Sequence, residues 1–336
     1  MTHGFRRERK GPDHRKNRIR TIALMLATAG ISFLMGCMPP AEEEELIRVG
    51  IVNNDPEESG YRAANDEDLR GTFTADNGYA ATFLYGSDAE EQMLAVRQLL
   101  LEGVDYILLS AADASGWDGI LQMAADQNVT VILFDRTIDA DPGLYAAMVV
   151  SDMKSEGVTA TKWLAEQNLE ECRILHLMGQ MGSSAQLGRS EALLQAVEAH
   201  GWEVVAELEA DWDEELAYQA TAGQIAQGIS FNVIYAENDD MARGAVTALD
   251  EAGITHGING EVMVISFDCN DWALAELLNG RWNYDVQCNP FQADTLDGMI
   301  RQLEAGEALT DQVIYLEENG FDARTITRSD VLKYGI

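Results

Sequence analysis

A run of apolar and β-branched residues from Val129 to Phe134 constrains the fold more than any other stretch of the chain. The run is only as long as a strand, and it is bounded by Asn128 and by the charged pair Asp135 and Arg136. A short continuous apolar run of this kind is typical of a strand buried on both faces of a parallel sheet. Open α/β sheets bind ligands at the carboxyl ends of their strands, so the pair is a candidate ligand contact, although a solvated charge pair would have the same sequence.

Similar short apolar runs recur along the chain, and they alternate with segments of helical periodicity. Strands and helices are predicted in turn between residues 46 and 150, and a second such series runs from residue 155 to about residue 316. In the helix after Asp88, for example, Met93, Val96 and Leu100 recur on one face. This alternation predicts an α/β fold of two doubly wound parallel-sheet lobes. No Gly/Ser linker lies near residue 150, so a short hinge is predicted to join the lobes.

Charge is distributed unevenly along the chain. Its 336 residues carry a net charge of −34, yet residues 1–36 hold eight Lys and Arg against two Asp and Glu. Surfaces that bind nucleic acid need clustered Lys and Arg, so the acidity of the remainder argues against a nucleic-acid partner. The basic start is followed by an apolar stretch, residues 21–35, that is too short for an ordinary membrane-spanning helix. Together they predict a targeting segment.

The targeting segment ends in Leu34-Met-Gly-Cys37, which resembles a bacterial lipobox. Residues 1–36 are therefore predicted to be a lipoprotein signal peptide, and Cys37 the lipidated first residue of the mature protein. A secretory signal with an accidental cysteine, or an uncleaved anchor, is the less favoured interpretation. Residues 37–45 follow as an acidic tether without periodicity. The protein is thus expected outside the cytoplasm, in the periplasm or at the cell surface, anchored to the membrane by lipid.

The remaining cysteines and the short motifs give no sign of catalysis or of a metal. Cys172, Cys269 and Cys288 lack metal-ligand spacing, although Cys269 and Cys288 each follow a predicted strand and form one candidate disulfide. The loop from Gly179 to Gly182 lacks the glycine order of a dinucleotide site, and G-x-S-x-G and H-E-x-x-H are absent from the sequence. The sequence predicts a protein that is not an enzyme and that uses no cofactor and no metal.

Polar and aromatic side chains follow the predicted strands of both lobes. Carboxylates, guanidinium groups and amides make paired hydrogen bonds, and rings stack on C–H faces, which is what a neutral polyol requires. Several of these residues also have a structural explanation. Asn238 suits a helix cap, Arg189 a solvated helix position, and Trp117 a packed helix start, while His176 is predicted to be a core residue.

Four motifs at those strand ends resemble the sugar-binding proteins of the type I periplasmic family, the ribose- and galactose-binding group that serves ABC transporters. They occur in family order within residues 46–316 and are most similar to those of galactofuranose-binding members. The motifs are Glu58-Ser-Gly-Tyr-Arg62, Ser115-Gly-Trp117, Asp135-Arg-Thr-Ile-Asp139 and Asn238-Asp-Asp-Met241. Tyr61, Glu237 and Gln287 depart from the residues usual in the closest relatives, so the particular sugar stays open.

The resemblance implies both a division of the chain and a set of ligand contacts. Three crossings between the lobes would assign residues 46–149 and 289–315 to the N-terminal lobe, and residues 150–288 and 316–336 to the C-terminal lobe. The implied ligand-binding residues are Asn54, Glu58, Arg62, Trp117, Asp135, Arg136, Arg189, Asn238, Asp268 and Gln287.

By the same resemblance, the chain is expected to be the extracytoplasmic substrate-binding lipoprotein of an ABC transporter. It would capture a monosaccharide, a galactofuranose-like hexose or a pentose, between its lobes by hinge closure, and as a monomer present the closed form to the permease subunits. A sugar-sensing receptor subunit that presents this form to a chemoreceptor or sensor kinase is the alternative. The effector core of a DNA-binding repressor shares the fold, but the signal segment and the acidity disfavour it.

Overall fold

The computed structural model of the protein describes residues 45–336. The predicted signal peptide, the predicted lipidation at Cys37 and the predicted tether before residue 45 lie outside the described residues. The part from Leu46 to Ile336 forms one compact unit that contains two six-stranded sheets. Within this part of the chain, no helix is both long and apolar enough to cross a membrane.

The first sheet is entirely parallel. Its strands are β1 (Ile47–Asn53), β2 (Tyr79–Tyr85), β3 (Tyr106–Leu109), β4 (Thr130–Asp135), β5 (Ala147–Val150) and β11 (Val313–Tyr315). They lie in the spatial order β11-β5-β4-β3-β1-β2. In β4, Val131 and Leu133 pack in one hydrophobic cluster while Ile132 and Phe134 pack in another. Because both faces are covered, the strand is apolar throughout, which explains the continuous run in the sequence.

The second sheet repeats this arrangement with one antiparallel edge. Its strands are β6 (Arg173–Met178), β7 (Glu203–Glu209), β8 (Val233–Ala236), β9 (Met263–Asp268), β10 (Tyr284–Gln287) and β12 (Gly320–Asp322). They lie in the order β12-β10-β9-β8-β6-β7, and β12 pairs antiparallel with β10. Two further hydrophobic clusters cover this sheet, one containing Ile234 and Val264 and the other Tyr235 and Ile265. We call the two sheets with their helices the first and second lobes.

Helices connect the strands of both lobes. They are α1 (Gly60–Thr72), α2 (Ala89–Glu102), α3 (Asp118–Asp126), α4 (Met153–Glu166), α5 (Ser184–His200), α6 (Glu214–Ala226), α7 (Asp239–Ala252), α8 (Asp271–Leu278), α9 (Ala293–Glu304) and α10 (Arg328–Tyr334). Side chains of Ser59, Asp88, Ser183 and Asn238 cap the N-termini of α1, α2, α5 and α7. These caps end strand-to-helix loops, so they bring the helix N-termini close to the carboxyl ends of the strands.

The chain passes between the two sheets three times. The first passage follows β5 and leads into α4, which packs on β10 and β12 of the second lobe. The second passage, residues 288–292, returns the chain to α9 and β11, and α9 packs on α1 of the first lobe. The third passage, residues 316–319, leads from β11 to β12. Helix α9 and strand β11 therefore belong to the first lobe, and strand β12 and helix α10, which follow them in the chain, belong to the second.

The predicted fold class, α/β with two parallel-sheet lobes, is confirmed by these sheets. Two short elements were missed, and one prediction was wrong. The short strand β12 and helix α10 carry no strong periodic signal, and they were missed. The candidate disulfide is also wrong, because Cys269 and Cys288 are both free and buried.

Candidate functional site

The carboxyl ends of the strands of both sheets face a small pocket. It lies where open α/β sheets bind ligands. The structure brings many of the sequence-predicted residues together here and adds others from both lobes. The pocket is lined by Glu58, Ser59, Tyr61, Arg62, Asp135, Arg136, Met153, Ala185, Arg189, Trp212, Asn238, Asp268 and Cys288.

Two aspartates in the pocket adopt an unusual backbone conformation. Asp135 ends β4 with φ of 64°, and Asp268 ends β9 with φ of 104°. Positive φ is uncommon for residues other than glycine, and it costs energy that the surrounding structure has to supply. Both residues stand at the carboxyl end of a strand, and both line the pocket. Such outliers are concentrated at binding sites, which supports a functional role for this edge.

In the first lobe, a network of donors holds the carboxylate of Asp135. Its Oδ2 accepts hydrogen bonds from Arg62 Nη1 at 2.8 Å and from Ser110 Oγ at 2.6 Å, and its Oδ1 accepts one from Tyr61 Oη at 2.8 Å. Burial would raise the pKa of Asp135, but the charges of Arg62 and then Arg136 outweigh it, and the pKa lies below the usual value. The carboxylate is therefore ionised and oriented, and Oδ1 keeps one acceptor position for a ligand.

Arg136 is only 3% exposed, yet its guanidinium makes no short hydrogen bond within residues 45–336. Its nearest acceptors are a backbone oxygen and Gln180 Oε1, each 3.5 Å from Nη1. The carboxylates of Glu58 and Asp135 lie 3.8 Å away, and the guanidinium is 5.8 Å from the centre of the Trp212 ring. Burial, and then the charge of Arg62, lower the pKa of Arg136. Its donors are thus buried but poorly used.

In the second lobe, Arg189 is held from several sides. Its Nε donates to Glu156 Oε2 at 2.7 Å, its Nη1 donates to the backbone oxygen of Glu237, and its Nη2 lies 3.5 Å from Asp268 Oδ1. The guanidinium also lies over the Phe267 ring, 4.7 Å from its centre. Because Arg189 is buried and not solvated, it is oriented towards the pocket by its neighbours. Asp268 is its partner there, and burial raises the pKa of this carboxyl well above the usual value.

Asn238 combines the two roles that the sequence left open. Its Oδ1 caps α7 by accepting from Met241 N at 2.8 Å, and its Nδ2 donates to the Trp212 backbone oxygen at 3.2 Å. Asn238 also lines the pocket. The capping hydrogen bond fixes its side chain, and neither of the two bonds uses the second proton on Nδ2. Ser183 caps α5 in the same way, by accepting from Gln186 N at 3.2 Å.

Three sequence-predicted residues lie outside the pocket lining. Asn54 accepts a hydrogen bond from Gln92 Nε2 at 2.9 Å, behind β1. Trp117 is fully buried in the core of the first lobe, and its Nε1 donates to a backbone oxygen at 2.7 Å. Gln287 Oε1 accepts from Asn319 Nδ2 at 3.3 Å, close to the third passage. These side chains support neighbouring loops, and the ligand contacts predicted for them remain predictions.

Trp212 is one of the pocket residues that the sequence did not predict as ligand contacts, because it was assigned to the core or its rim. It follows β7 with φ of 67°, and its ring packs over Gly179. A Cβ at Gly179 would lie 1.9 Å from the ring, so only glycine permits this position. The aromatic ring and the glycine are far apart in sequence, and no local pattern connects them. The ring offers an apolar face for stacking in a pocket that is otherwise polar.

Hydrogen bonds also join the two lobes at the edges of the pocket. Gln180 Nε2 donates to the Ser87 backbone oxygen at 2.6 Å, and Thr137 N donates to Ser184 Oγ at 3.1 Å. On another side, Gly60 N donates to Asp240 Oδ2 at 3.2 Å. The lobes are therefore in contact around the pocket, and a ligand inside it would be largely enclosed.

A group of buried carboxylates lies in the second lobe next to Asp268. Asp239 and Asp285 are fully buried there, and burial, followed by the charge of Asp285, raises the pKa of Asp239 well above its usual value. Burial, followed by the charge of Asp268, raises the pKa of Asp285 to about 7. Acids placed in this way hold protons at pH values where exposed aspartates are ionised. His176 is buried nearby and contacts Glu237 at 2.9 Å, as expected for a core residue.

Comparison with known proteins shows similarity over most of the chain. Galactofuranose-binding protein YtfQ of Escherichia coli (strain K12) is 28% identical over 274 residues, which are 78% of this chain and 85% of that protein. Fructose import binding protein FruE of Bifidobacterium longum (strain NCC 2705) is 28% identical and covers 92% of this chain and 95% of its own. A crystal structure from Mycobacterium smegmatis in complex with β-D-fucofuranose matches with a TM-score of 0.78 at 26% identity, over 83% of this chain and 92% of that one.

These relatives are binding proteins and not enzymes, as the absence of catalytic motifs predicted. The family described as periplasmic binding protein domain matches residues 49–296, which include every sequence-predicted ligand contact. The match extends over both sheets and the pocket between them. The chain therefore belongs to the periplasmic binding protein family, as the four motifs at its strand ends predicted.

Proposed function

We propose that the chain binds a monosaccharide in its furanose form between the two lobes and delivers it to an ABC importer. Two relatives carry names or ligands that contain galactofuranose or fucofuranose, five-membered-ring sugars that differ by one hydroxyl group. The pocket supports this ligand class because carboxylates, guanidinium groups and the Trp212 ring surround a small volume. A neutral sugar presents hydroxyl groups that both donate and accept, together with C–H faces for an aromatic ring.

The observation that carries the proposal is the state of Arg136. A buried guanidinium without short hydrogen bonds is costly, because its donors have lost water and gained little in exchange. In this pocket Arg136 Nε lies 3.8 Å from Asp135 Oδ2, and Oδ1 of the same carboxylate accepts one hydrogen bond, from Tyr61. Adjacent hydroxyl groups of a sugar would satisfy both residues at once, one by accepting from Arg136 and one by donating to Asp135. The pocket is therefore incomplete without a polar ligand.

Replacing Arg136 by methionine tests this role. Removal of a poorly paired buried charge should leave the thermal stability of the sugar-free protein unchanged or higher. In the parent protein, a sugar at about one hundred times its Kd should raise the Tm by about 5–8 °C, and Arg136→Met should lose that rise. Arg301→Met is the matched control, because Arg301 is exposed on α9. A full Tm rise in Arg136→Met would contradict the assignment.

The ligand class is tested by a panel of sugars in the same assay. D-galactose, D-fucose, D-fructose and L-arabinose all populate furanose forms in water, and at least one should raise the Tm. Methyl galactopyranoside and myo-inositol carry similar hydroxyl groups on six-membered rings that cannot contract. Stabilisation by these two compounds, without stabilisation by the free sugars, would overturn the furanose proposal but leave the polyol site intact.

Hinge closure and the division into lobes belong to the same proposal. Residues 46–149 and 289–315 would move as one lobe, and residues 150–288 and 316–336 as the other. The distribution of strands between the sheets supports this division. A sugar held by Asp135 and Arg189 contacts both lobes only when they are closed, so it shifts the equilibrium towards that form. Small-angle scattering should show a smaller radius of gyration with sugar, and an unchanged radius would contradict closure.

The membrane anchor is proposed from the sequence alone. Family members are extracytoplasmic, and lipid on Cys37 would hold this chain at the membrane surface as a monomer near the permease. Cys37→Ser should release the protein into the soluble fraction of cells and leave sugar binding unchanged. Retention of the variant in the membrane fraction would contradict lipidation at this residue.

A further inference from the structure

A second group of ligating side chains lies beside the passages between the lobes. It consists of Glu156, Cys288 and Glu318, and we call it the passage cluster. One ligating atom from each residue lies within 4.8 Å of the other two. Glu156 is in the first turn of α4 after the first passage, Cys288 begins the second passage, and Glu318 lies within the third. The cluster therefore joins all three connections between the lobes.

Glu156 has an unused oxygen in the cluster. Its side chain is 1% exposed, and its Oε2 accepts from Arg189 Nε at 2.7 Å. Its Oε1 is buried and accepts no hydrogen bond from an N–H or hydroxyl donor of the described residues, and the Glu318 carboxyl and the Cys288 thiol lie within hydrogen-bonding reach of the Glu156 carboxyl. A buried carboxylate oxygen without a donor is rare because its desolvation is not repaid. The donor or cation that satisfies Oε1 has to come from the direction of Cys288 and Glu318.

Glu318 is oriented in the way that metal-binding carboxylates commonly are. Ser151 Oγ and Asn289 N both donate to its Oε1, at 2.5 Å and 2.8 Å. Arg189 fixes Glu156 by the same principle, with one oxygen held and the other unused. Partners of this kind fix the direction of a ligating group and keep it ready for the ion. Two oriented carboxylates and a thiol thus surround one point.

Charge also favours a cation at this point. Two carboxyl groups and a thiol are crowded together with little water, and Arg189 is the cation that contacts the group. A divalent ion would remove this repulsion, because it allows all three groups to be ionised as ligands.

We infer that Glu156, Cys288 and Glu318 bind a zinc-class divalent cation, with water as the fourth ligand. Sulfur and carboxylate donors together suit Zn²⁺ better than Mg²⁺ or Ca²⁺, which take oxygen ligands. Bonds of about 2.0–2.3 Å in a tetrahedron place ligand atoms roughly 3.5 Å apart. The ligand atoms lie within 4.8 Å of one another, and side-chain rotations would have to bring them closer around an ion. Sequence spacing could not reveal the site, because its residues come from three distant segments.

A bound ion would restrain the connections between the two lobes. An ion held by residues of all three passages would restrict their backbone rotations, and Glu156 would connect the ion to Arg189 in the pocket. This coupling rests on the proposed function, and it would make the affinity of the protein for sugar depend on zinc. The existence of the site itself is tested by metal alone, so its failure and failure of the sugar proposal are distinguishable.

The experiment uses purified protein stripped with a chelator and then supplied with ZnCl₂ or CoCl₂. After desalting, elemental analysis should find one equivalent of zinc per chain. The cobalt form should show the near-ultraviolet charge-transfer band of a thiolate ligand. Cys288→Ser should lose this band, and Glu318→Gln should lose stoichiometric zinc. Circular dichroism establishes that each variant is folded, and Glu318, the most exposed of the three ligands, provides the variant less disruptive to the core.

Matched controls come from the same chain. Cys172→Ser removes another buried cysteine, and Glu317→Gln removes an exposed carboxylate next to Glu318. Both should keep one equivalent of zinc and the cobalt band. The inference is overturned if the parent protein retains no zinc, because the cluster then holds a proton instead. It is equally overturned if folded Cys288→Ser keeps the thiolate band or if Glu318→Gln binds zinc as the parent does.

Discussion

Replacing Asp135 by asparagine removes the charge on which the first-lobe side of the pocket depends. The carboxylate accepts hydrogen bonds from Arg62, Ser110 and Tyr61. The asparagine amide would offer one neutral oxygen in place of two charged ones. Its NH₂ group would also face donors. Arg62 is 1% exposed, so it would lose its closest counter-ion in a place that water does not reach.

The magnitude follows from this burial. Removing one member of a buried ion pair costs about 3–5 kcal/mol, because the other charge is left without compensation. The same substitution in the exposed pair of Arg48 and Asp105 should cost less than about 1 kcal/mol. That pair is closer, at 2.6 Å against 2.8 Å, but its side chains are 52% and 39% exposed. Burial and not distance is therefore expected to decide the cost.

Urea unfolding of the sugar-free protein at pH 7 measures both variants. Asp135→Asn should lower the free energy of unfolding by about 3–5 kcal/mol, and Asp105→Asn by less than about 1 kcal/mol. Sugar affinity should also fall about tenfold or more in Asp135→Asn, because a charged acceptor is lost. Equal stability losses in the two variants would refute the argument that the buried network orients Asp135. So would an Asp135→Asn protein with the sugar affinity of the parent.

Two further substitutions test closure and the buried acids. A Cβ at Gly60 would lie 1.9 Å from Asn270 Oδ1 of the other lobe, so Gly60→Ala should weaken sugar binding about tenfold to a hundredfold by calorimetry without lowering the Tm of the sugar-free protein. Gly71→Ala, on the same helix with nothing within 4 Å, is the control, and equal affinities would contradict closure around Gly60. Asp285 has a pKa raised from 3.8 to about 7, so the folded protein keeps a proton that the unfolded chain releases, and stability should fall as pH rises from about 4 to 7. Asp285→Asn should remove about 3 kcal/mol of the fall between pH 5 and pH 8 in thermal unfolding, and a pH profile as steep as that of the parent would exclude Asp285 as its source.

The strands and the strand-end residues were accessible from the sequence because they depend on local pattern. The apolar run of β4 is required by burial on both faces, and its end necessarily brings Asp135 and Arg136 to the sheet edge. In the second lobe, Asp268 follows an apolar strand in the same way, so a short stretch of sequence and the rule for parallel sheets place these strand-end residues. Arg189 lies inside α5, and only the family resemblance implied a ligand contact there.

The remaining details depend on contacts between segments that are distant in sequence. Trp212 enters the pocket because Gly179 leaves room for its ring, and neither residue has a periodic signal. Trp117 carries a family motif, but its indole is satisfied by a backbone oxygen inside the core. Whether Arg136 is well or poorly paired depends on side-chain positions in both lobes. Sequence pattern can identify such a residue but cannot count its partners.

The interleaved path of the chain has a consequence for its resistance to proteolysis. A single cut after Cys288 would produce two fragments, and the smaller would still contribute β11 to one sheet and β12 to the other. Neither fragment could leave without breaking strand pairs in both halves of the molecule simultaneously. A nicked protein should therefore migrate as one species under native conditions and as two under denaturing ones.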